Sequence, residues 1–173
     1  MKYPSAIWTP SPNHSSRSGV TVDRVVIHQT DGRERLDRAV EHLCNPSPSN
    51  GKRVSAHFVV GQAGSGEVAQ LVELSRAAWH CSSWNTRSVG IEHVARTPGE
   101  LGRDDKGLPL AEAQLEASAR LVAWLLREFH LSIDDVVPHC SSPTTTHRDC
   151  GRAVEDGGIW PWDRYLGLIE AAG

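Results

Sequence analysis

An α/β fold, with a central mixed β-sheet flanked by α-helices in a single domain, is predicted by three observations. Short β-branched runs such as Val25-Val26-Ile27 read as buried strands. One segment, 111–129, carries an apolar stripe at helical spacing. Strand and helix segments are interleaved along the chain, an order that lays helices against a sheet. The 173 residues and their 39% hydrophobic content suit one core of ordinary size.

Residues 1–20 read as an extended N-terminal segment, with Pro4, Pro10, Pro12 and a Ser-rich run ending at Gly19. Residues 23–28 form a buried strand that closes on His28, and Asp31-Gly32 marks a turn. Leu36, Val40 and Leu43 recur at helical spacing between Glu34 and Cys44, and Pro46 and Pro48 stop that helix. From Val54 to Gly61 the chain alternates: Val54, Ala56, Phe58 and Val60 on one face, Ser55, His57 and Val59 on the other. Gly61 to Gly66 turns, and Glu67 to Val72 pairs back as a hairpin. Val89 to Val94 is a strand with Gly90 and Glu92 on one face and Ile91 and His93 on the other. Residues 97–109 form a polar loop. In the helix from Ala111 to Phe129, Leu115, Val122, Leu125 and Phe129 make the stripe and Trp124 fills core space. Val136-Val137 is a short strand, and Pro161 to Glu170 a closing helix with Leu166 and Ile169 inward. No internal repeat or boundary divides residues 1–173.

Composition narrows the function. A net charge of −3 gives no electrostatic reason for a nucleic-acid or anionic-membrane partner. No apolar run reaches the ~18 residues of a membrane span. Met1-Lys2-Tyr3-Pro4 leads into no apolar stretch, so no secretory signal is expected. Cys44, Cys81, Cys140 and Cys150 allow three pairings, among them a Cys140–Cys150 clamp; the absent signal argues instead for thiols.

The chemistry concentrates in His139-Cys140-Ser141-Ser142-Pro143-Thr144-Thr145-Thr146-His147-Arg148-Asp149-Cys150-Gly151. Two histidines, an aspartate and two cysteines share a loop able to bend around a metal ion. His28, at a strand end far upstream, supplies a further imidazole. One ligand on a strand and two on a loop leave a fourth position open, the pattern of catalytic rather than structural zinc.

Six motifs in order carry a family resemblance: Val25-Val26-Ile27-His28-Gln29-Thr30; Val54-Ser55-Ala56-His57-Phe58-Val59-Val60; Ala78-Trp79-His80; Asn85-Thr86-Arg87-Ser88-Val89-Gly90-Ile91-Glu92; His139 to Gly151; and Trp160-Pro161-Trp162-Asp163. From Trp8 to about Leu168 the chain resembles the zinc-dependent N-acetylmuramoyl-L-alanine amidases of the second type, whose fold is shared by phage endolysins and peptidoglycan recognition proteins. The resemblance implies hydrolysis of the amide between N-acetylmuramic acid and L-alanine in peptidoglycan, with Zn2+ as cofactor. By position it makes His28 and His139 the first two zinc ligands. Asp149 is the preferred third ligand and Cys150 the alternative. Glu92 is implied as the general base, and Ala56 stands where a related subgroup has a catalytic Tyr. His147 is implied to stabilise the oxyanion, with Arg148 as the substitute cation if Cys150 ligates. His80, in the Trp79-His80 turn, would meet substrate, with Arg148 beside it. His57 reads as structural, and His93 as lying outside the site. His147 and Cys150 depart from the family's usual Lys or Thr and Pro.

The resemblance implies an enzyme of the endolysin type, a monomer made without a signal peptide that acts on the cell wall. The alternatives are a cytoplasmic amidase recycling anhydro-muropeptides and a module that binds peptidoglycan without cutting it.

Overall fold

The computed structural model describes residues 1–30, 35–62, 66–95, 110–146, 150 and 160–173. Eight strands and three α-helices are placed among them: β1 (Ile7–Trp8), β2 (His14–Ser16), β3 (Arg24–Gln29), α1 (Leu36–Leu43), β4 (Phe58–Val60), β5 (Val68–Gln70), β6 (Arg76–Ala78), β7 (Ser88–His93), α2 (Glu112–Phe129), β8 (Val136–Pro138) and α3 (Trp162–Ala172). Six strands form a mixed sheet in the order β1-β5-β4-β7-β3-β8, and β2 pairs with β6 in a separate two-stranded sheet. The α/β architecture is as the sequence predicts. The expected turns at Asp31-Gly32 and 63–65, and the loop at 97–109, lie outside the described residues.

The buried centre of the sheet is parallel. β3 runs parallel to β7 on one side and to β8 on the other, with Val25 opposite Val89 and Val136, and Val26 opposite Gly90 and Val137. Strands covered on both faces need apolar residues at nearly every position. Val25, Val26 and Ile27 meet that need, each fully buried. Val25 and Ile27 join the main cluster with Leu121, Val122 and Leu125 of α2 and Tyr165 and Ile169 of α3. Val26 faces the other way, into a small cluster with Cys81, Trp84 and Val137.

α2 presents its predicted stripe to the sheet and is held there by polar contacts as well. The buried Gln114 amide donates to the carbonyls of Val60 and Val94, at 2.9 and 3.2 Å. These strand-end acceptors would otherwise be stranded in an apolar environment. Gly66 (φ +66°) sits against the same helix: a Cβ there would run into the Ala113 carbonyl and stand 2.5 Å from the Ala117 methyl. Only glycine allows this approach.

The 54–61 segment departs from its predicted alternation. Regular pairing starts only at Phe58, so Phe58 and Val60 face the main core, whereas Ala56 joins Val59 in the cluster under α1. The N-terminal segment contributes two short strands, β1 and β2. Arg17, just after β2, is buried and cages three carbonyls: Nε donates to Leu74 at 2.8 Å, and the guanidinium nitrogens donate to Thr86 at 2.7 Å and Ser88 at 3.0 Å. Burial lowers its pKa to about 10, which still leaves it charged at neutral pH. In α3 the inward residues are Trp162, Tyr165 and Ile169, with Leu166 only half-buried. All four cysteines are thiols, so neither a Cys140–Cys150 clamp nor a Cys44–Cys81 bridge forms. Cys81 instead packs as a small apolar side chain.

Candidate active site

Three adjacent parallel strands end together. In β3 and β7, His28 stands opposite Glu92. On the other side Pro138 pairs with Ile27, so the next residue, His139, emerges beside His28 at the start of a 3-10 turn. His28 and Glu92 share a face because each lies one residue beyond an Ile27–Ile91 pair that points into the main core. Crevices at the carboxyl ends of parallel strands are the usual ligand sites of α/β sheets.

The imidazoles of His28 and His139 lie with ring centroids 4.3 Å apart. Both side chains are buried. His80 stands edge-on to His28, centroids 5.0 Å apart, with its Nδ1 2.9 Å from His28 Nε2. The other nitrogen of His80 is 3.0 Å from Ser88 Oγ, and that hydroxyl donates to the Trp84 carbonyl at 2.7 Å. Thr145 Oγ1 is 3.2 Å from His139 Nε2. Burial holds His80 well below the usual imidazole pKa, and the neighbouring His28, His57 and His139 push the same way.

Gly90 makes room for this arrangement. It lies between Val26 and Glu92 on the site face, and a Cβ there would stand 2.5 Å from Cγ and Nδ1 of His80. His57 braces the same strand: its Nδ1 accepts the Gly90 N–H at 3.0 Å, and its Nε2 lies 2.9 Å from a guanidinium nitrogen of Arg17 and 3.1 Å from the Arg76 carbonyl. Burial, followed by the charge of Arg17, lowers the His57 pKa to about 3. His57 is therefore a neutral structural residue at working pH, in agreement with the sequence reading.

His93 lies on the opposite face, as its place in the alternation requires, yet it is tied to the site. Its Nδ1 is 2.9 Å from the His28 carbonyl, and its Nε2 is 2.6 Å from Ser118 Oγ, which is 2.6 Å from the Tyr165 hydroxyl. A carbonyl only accepts, so Nδ1 carries the proton and Nε2 accepts from Ser118. Ser118 has one proton, so Tyr165 donates to it. The resulting relay runs from α3 through α2 and β7 to the backbone of β3. Burial lowers the His93 pKa to about 3, although the bond to His28 opposes the shift. The reading of His93 as outside the site is therefore incomplete.

A cleft of about 470 Å3 opens beside His80 and His139. His80, His139 and Thr145 line it, with Trp79 and Asn85 on one wall, and Lys52 and Arg53 also at its surface. The Arg53 guanidinium stacks over the Trp79 ring at 5.1 Å. Asn85 Oδ1 accepts the backbone N–H groups of His80 and Cys81, at 2.9 and 2.7 Å, which fixes the Trp79-His80 turn.

His147, Arg148 and Asp149 lie outside the described residues. Cys150 is described, and it is fully buried in the main core with Trp160, Trp162 and Tyr165, its carbonyl accepting Trp162 Nε1–H at 2.9 Å. That cluster fills the α2–α3 face, whereas the rings of His28 and His139 occupy the other. Among the described residues no three His, Cys, Asp or Glu side chains gather as a metal group. The donor pair itself suits zinc: two buried imidazoles, close together, with a carboxylate on the next strand. Ser88 and Thr145 escaped the sequence reading, since lone hydroxyl residues carry no spacing signal.

Residues 18–152 match the family model described as N-acetylmuramoyl-L-alanine amidase. N-acetylmuramoyl-L-alanine amidase A of Achromobacter lyticus is 28% identical over 191 residues, spanning 100% of this chain and 98% of that protein. The crystal structure of a selenomethionine AmpD derivative superposes with a TM-score of 0.77 at 21% identity, covering 97% of this chain and 96% of the other. AmiD from E. coli, solved in complex with the substrate anhydro-N-acetylmuramic acid-L-Ala-D-γ-Glu-L-Lys, gives a TM-score of 0.68 at 22% identity, covering 92% and 60%.

Proposed function

The chain belongs to the N-acetylmuramoyl-L-alanine amidase family, and from that premise we propose that it cleaves the N-acetylmuramoyl-L-alanine amide of peptidoglycan with one Zn2+ held by His28, His139 and Asp149. The observation that carries this reading is the meeting of His28, Glu92 and His139 at the ends of three adjacent strands. The burial of Cys150 in the α2–α3 core favours Asp149 as third ligand. Zinc bound there would supply Lewis acidity, polarising the lactyl carbonyl and making water acidic enough to yield a proton near neutral pH.

The side chains supply the rest. Glu92 takes the proton of the attacking water and returns it to the departing L-alanine amine. His147 donates to the oxyanion as tetrahedral charge develops, with Arg148 beside it. Lys52 and Arg53, at the cleft surface, meet the carboxylates of the stem peptide. The half-buried Trp79 gives those contacts an apolar floor. The large exposed hydrophobics among the described residues, Met1, Ile7 and Val20, are scattered, which supports a monomer. Among the described residues no helix is long and apolar enough to cross a membrane.

Two settings use this same bond: lysis of the polymeric wall by an endolysin-type enzyme, and cleavage of soluble anhydro-muropeptides. The four thiols suit a reducing compartment, and AmiD was solved with an anhydro-muropeptide, which supports the second. Relative rates on purified sacculi and on an anhydro-muropeptide decide between them.

Glu92→Gln tests the chemistry. It should retain about one Zn2+ per chain and lose cleavage by about 10²–10⁴-fold, the usual contribution of a general base. Zinc content by elemental analysis, with the masses of released stem peptides, reads both. A Glu92→Gln enzyme at full rate removes Glu92 from the mechanism; wild-type protein that binds zinc without cutting is a recognition module.

A further inference from the structure

We propose that His80 and Ser88 are positioning residues that set which nitrogen of His28 carries the lone pair, and so present Nδ1 to the metal. The proposal rests on the reading of His28 as a zinc ligand.

The assignment follows from one proton. Ser88 Oγ stands 2.7 Å from the Trp84 carbonyl, an atom that only accepts, so the hydroxyl proton points there. Ser88 Oγ, 3.0 Å from His80 Nε2, must then accept from it. A neutral imidazole has one N–H, so His80 Nδ1 is bare and accepts from His28 Nε2, 2.9 Å away. The proton of His28 therefore sits on Nε2 and its lone pair on Nδ1. Reversing the relay would turn the Ser88 hydroxyl away from Trp84 and leave two oxygens 2.7 Å apart with no proton between them.

The packing is built around this relay. Gly90 is the residue that lets the His80 ring lie flat against β7. Asn85 holds the backbone at 80 and 81 with two bonds to one oxygen. Both ring nitrogens of His80 are engaged inside the protein. That argues against the polar substrate contact implied for it by resemblance. Metal-binding histidines depend on such outer partners, whose loss weakens binding by about 10–100-fold.

The test uses the full chain, metal-free, with 15N-labelled histidine. Long-range 1H–15N correlation spectra read the tautomer of His28 directly. Zn2+ affinity is read separately by competition with a chromophoric chelator. The wild type should show His28 protonated on Nε2. His80→Leu and Ser88→Ala should convert that signal to a mixture and weaken zinc by about 10–100-fold. His80→Asn, which restores an acceptor near the place of Nδ1, should recover most of both. If His80→Leu does not fold, Ser88→Ala and the wild-type spectrum still decide. A wild-type His28 protonated on Nδ1 overturns the relay, as does a Ser88→Ala protein with unchanged tautomer and affinity. Zinc binding that survives His28→Ala overturns the ligand assignment instead, a failure visible without reference to the tautomer.

Discussion

Removing the Ser118 hydroxyl should cost far more than removing the Tyr165 hydroxyl at the end of the same relay. Ser118, His93 and Tyr165 are all fully buried. Ser118→Ala leaves two orphans, His93 Nε2 without a donor and the Tyr165 O–H without an acceptor, since both lean on the one oxygen at 2.6 Å. Each buried unsatisfied group costs about 1–3 kcal/mol, so the loss should be about 2–6 kcal/mol. Tyr165→Phe removes only the outermost donor. Ser118 still donates to His93, and the loss should be near the ~1 kcal/mol of an ordinary hydrogen bond. Urea unfolding of the metal-free protein at pH 7.5, followed by circular dichroism, measures both. The midpoints compare directly if the slopes agree. Equal losses for the two variants, or a Ser118→Ala loss below ~1 kcal/mol, would refute the proton order drawn for the relay.

Three further outcomes are expected. Gly90→Ala, which places a Cβ 2.5 Å from the His80 ring, should destabilise the fold by about 1–3 kcal/mol and weaken Zn2+ binding together, by urea midpoint and chelator competition. Stability should also fall as pH drops below 6.5. His57 and His93 are held neutral, with folded pKa values of about 3, so the unfolded chain takes up protons first; each contributes a slope of ~1.4 kcal/mol per pH unit from 6.5 down towards 3. Urea midpoints between pH 7 and 5 that do not move would contradict their neutrality. Arg53→Glu should raise KM for muropeptide by roughly fivefold with little change in kcat, and the effect should shrink in high salt; a kcat effect would place Arg53 in the chemistry instead.

Much of this was readable in the sequence. The strand ending at His28, the Gly90–Glu92 face and the long helix α2 each follow a clear period, and burial on both faces explains the β-branched run of β3. The strands β2 and β6 were not readable. Their residues, His14-Ser15-Ser16 and Arg76-Ala77-Ala78, have no strand signature, and the contacts made by Arg17 hold their neighbourhood together. The link from His93 to His28 was hidden because alternation shows which face a residue takes, not what it bonds there. A signal did exist: β7, α2 and α3 each carry a polar side chain on a largely apolar face, namely His93, Ser118 (one turn after Gln114) and Tyr165. Three such residues on faces that pack together point to one another.

His28 is gripped from both sides of the sheet, its ring through His80 and its carbonyl through His93. In evolutionary terms this narrows the freedom of the protein's interior. Drift in the packing of α2 on α3 would ordinarily pass unnoticed by an active site on the far face. Here positions 93, 118 and 165 are bound into one inheritance: a lineage that abandons the hydroxyl at 118 is expected to abandon the imidazole at 93 as well.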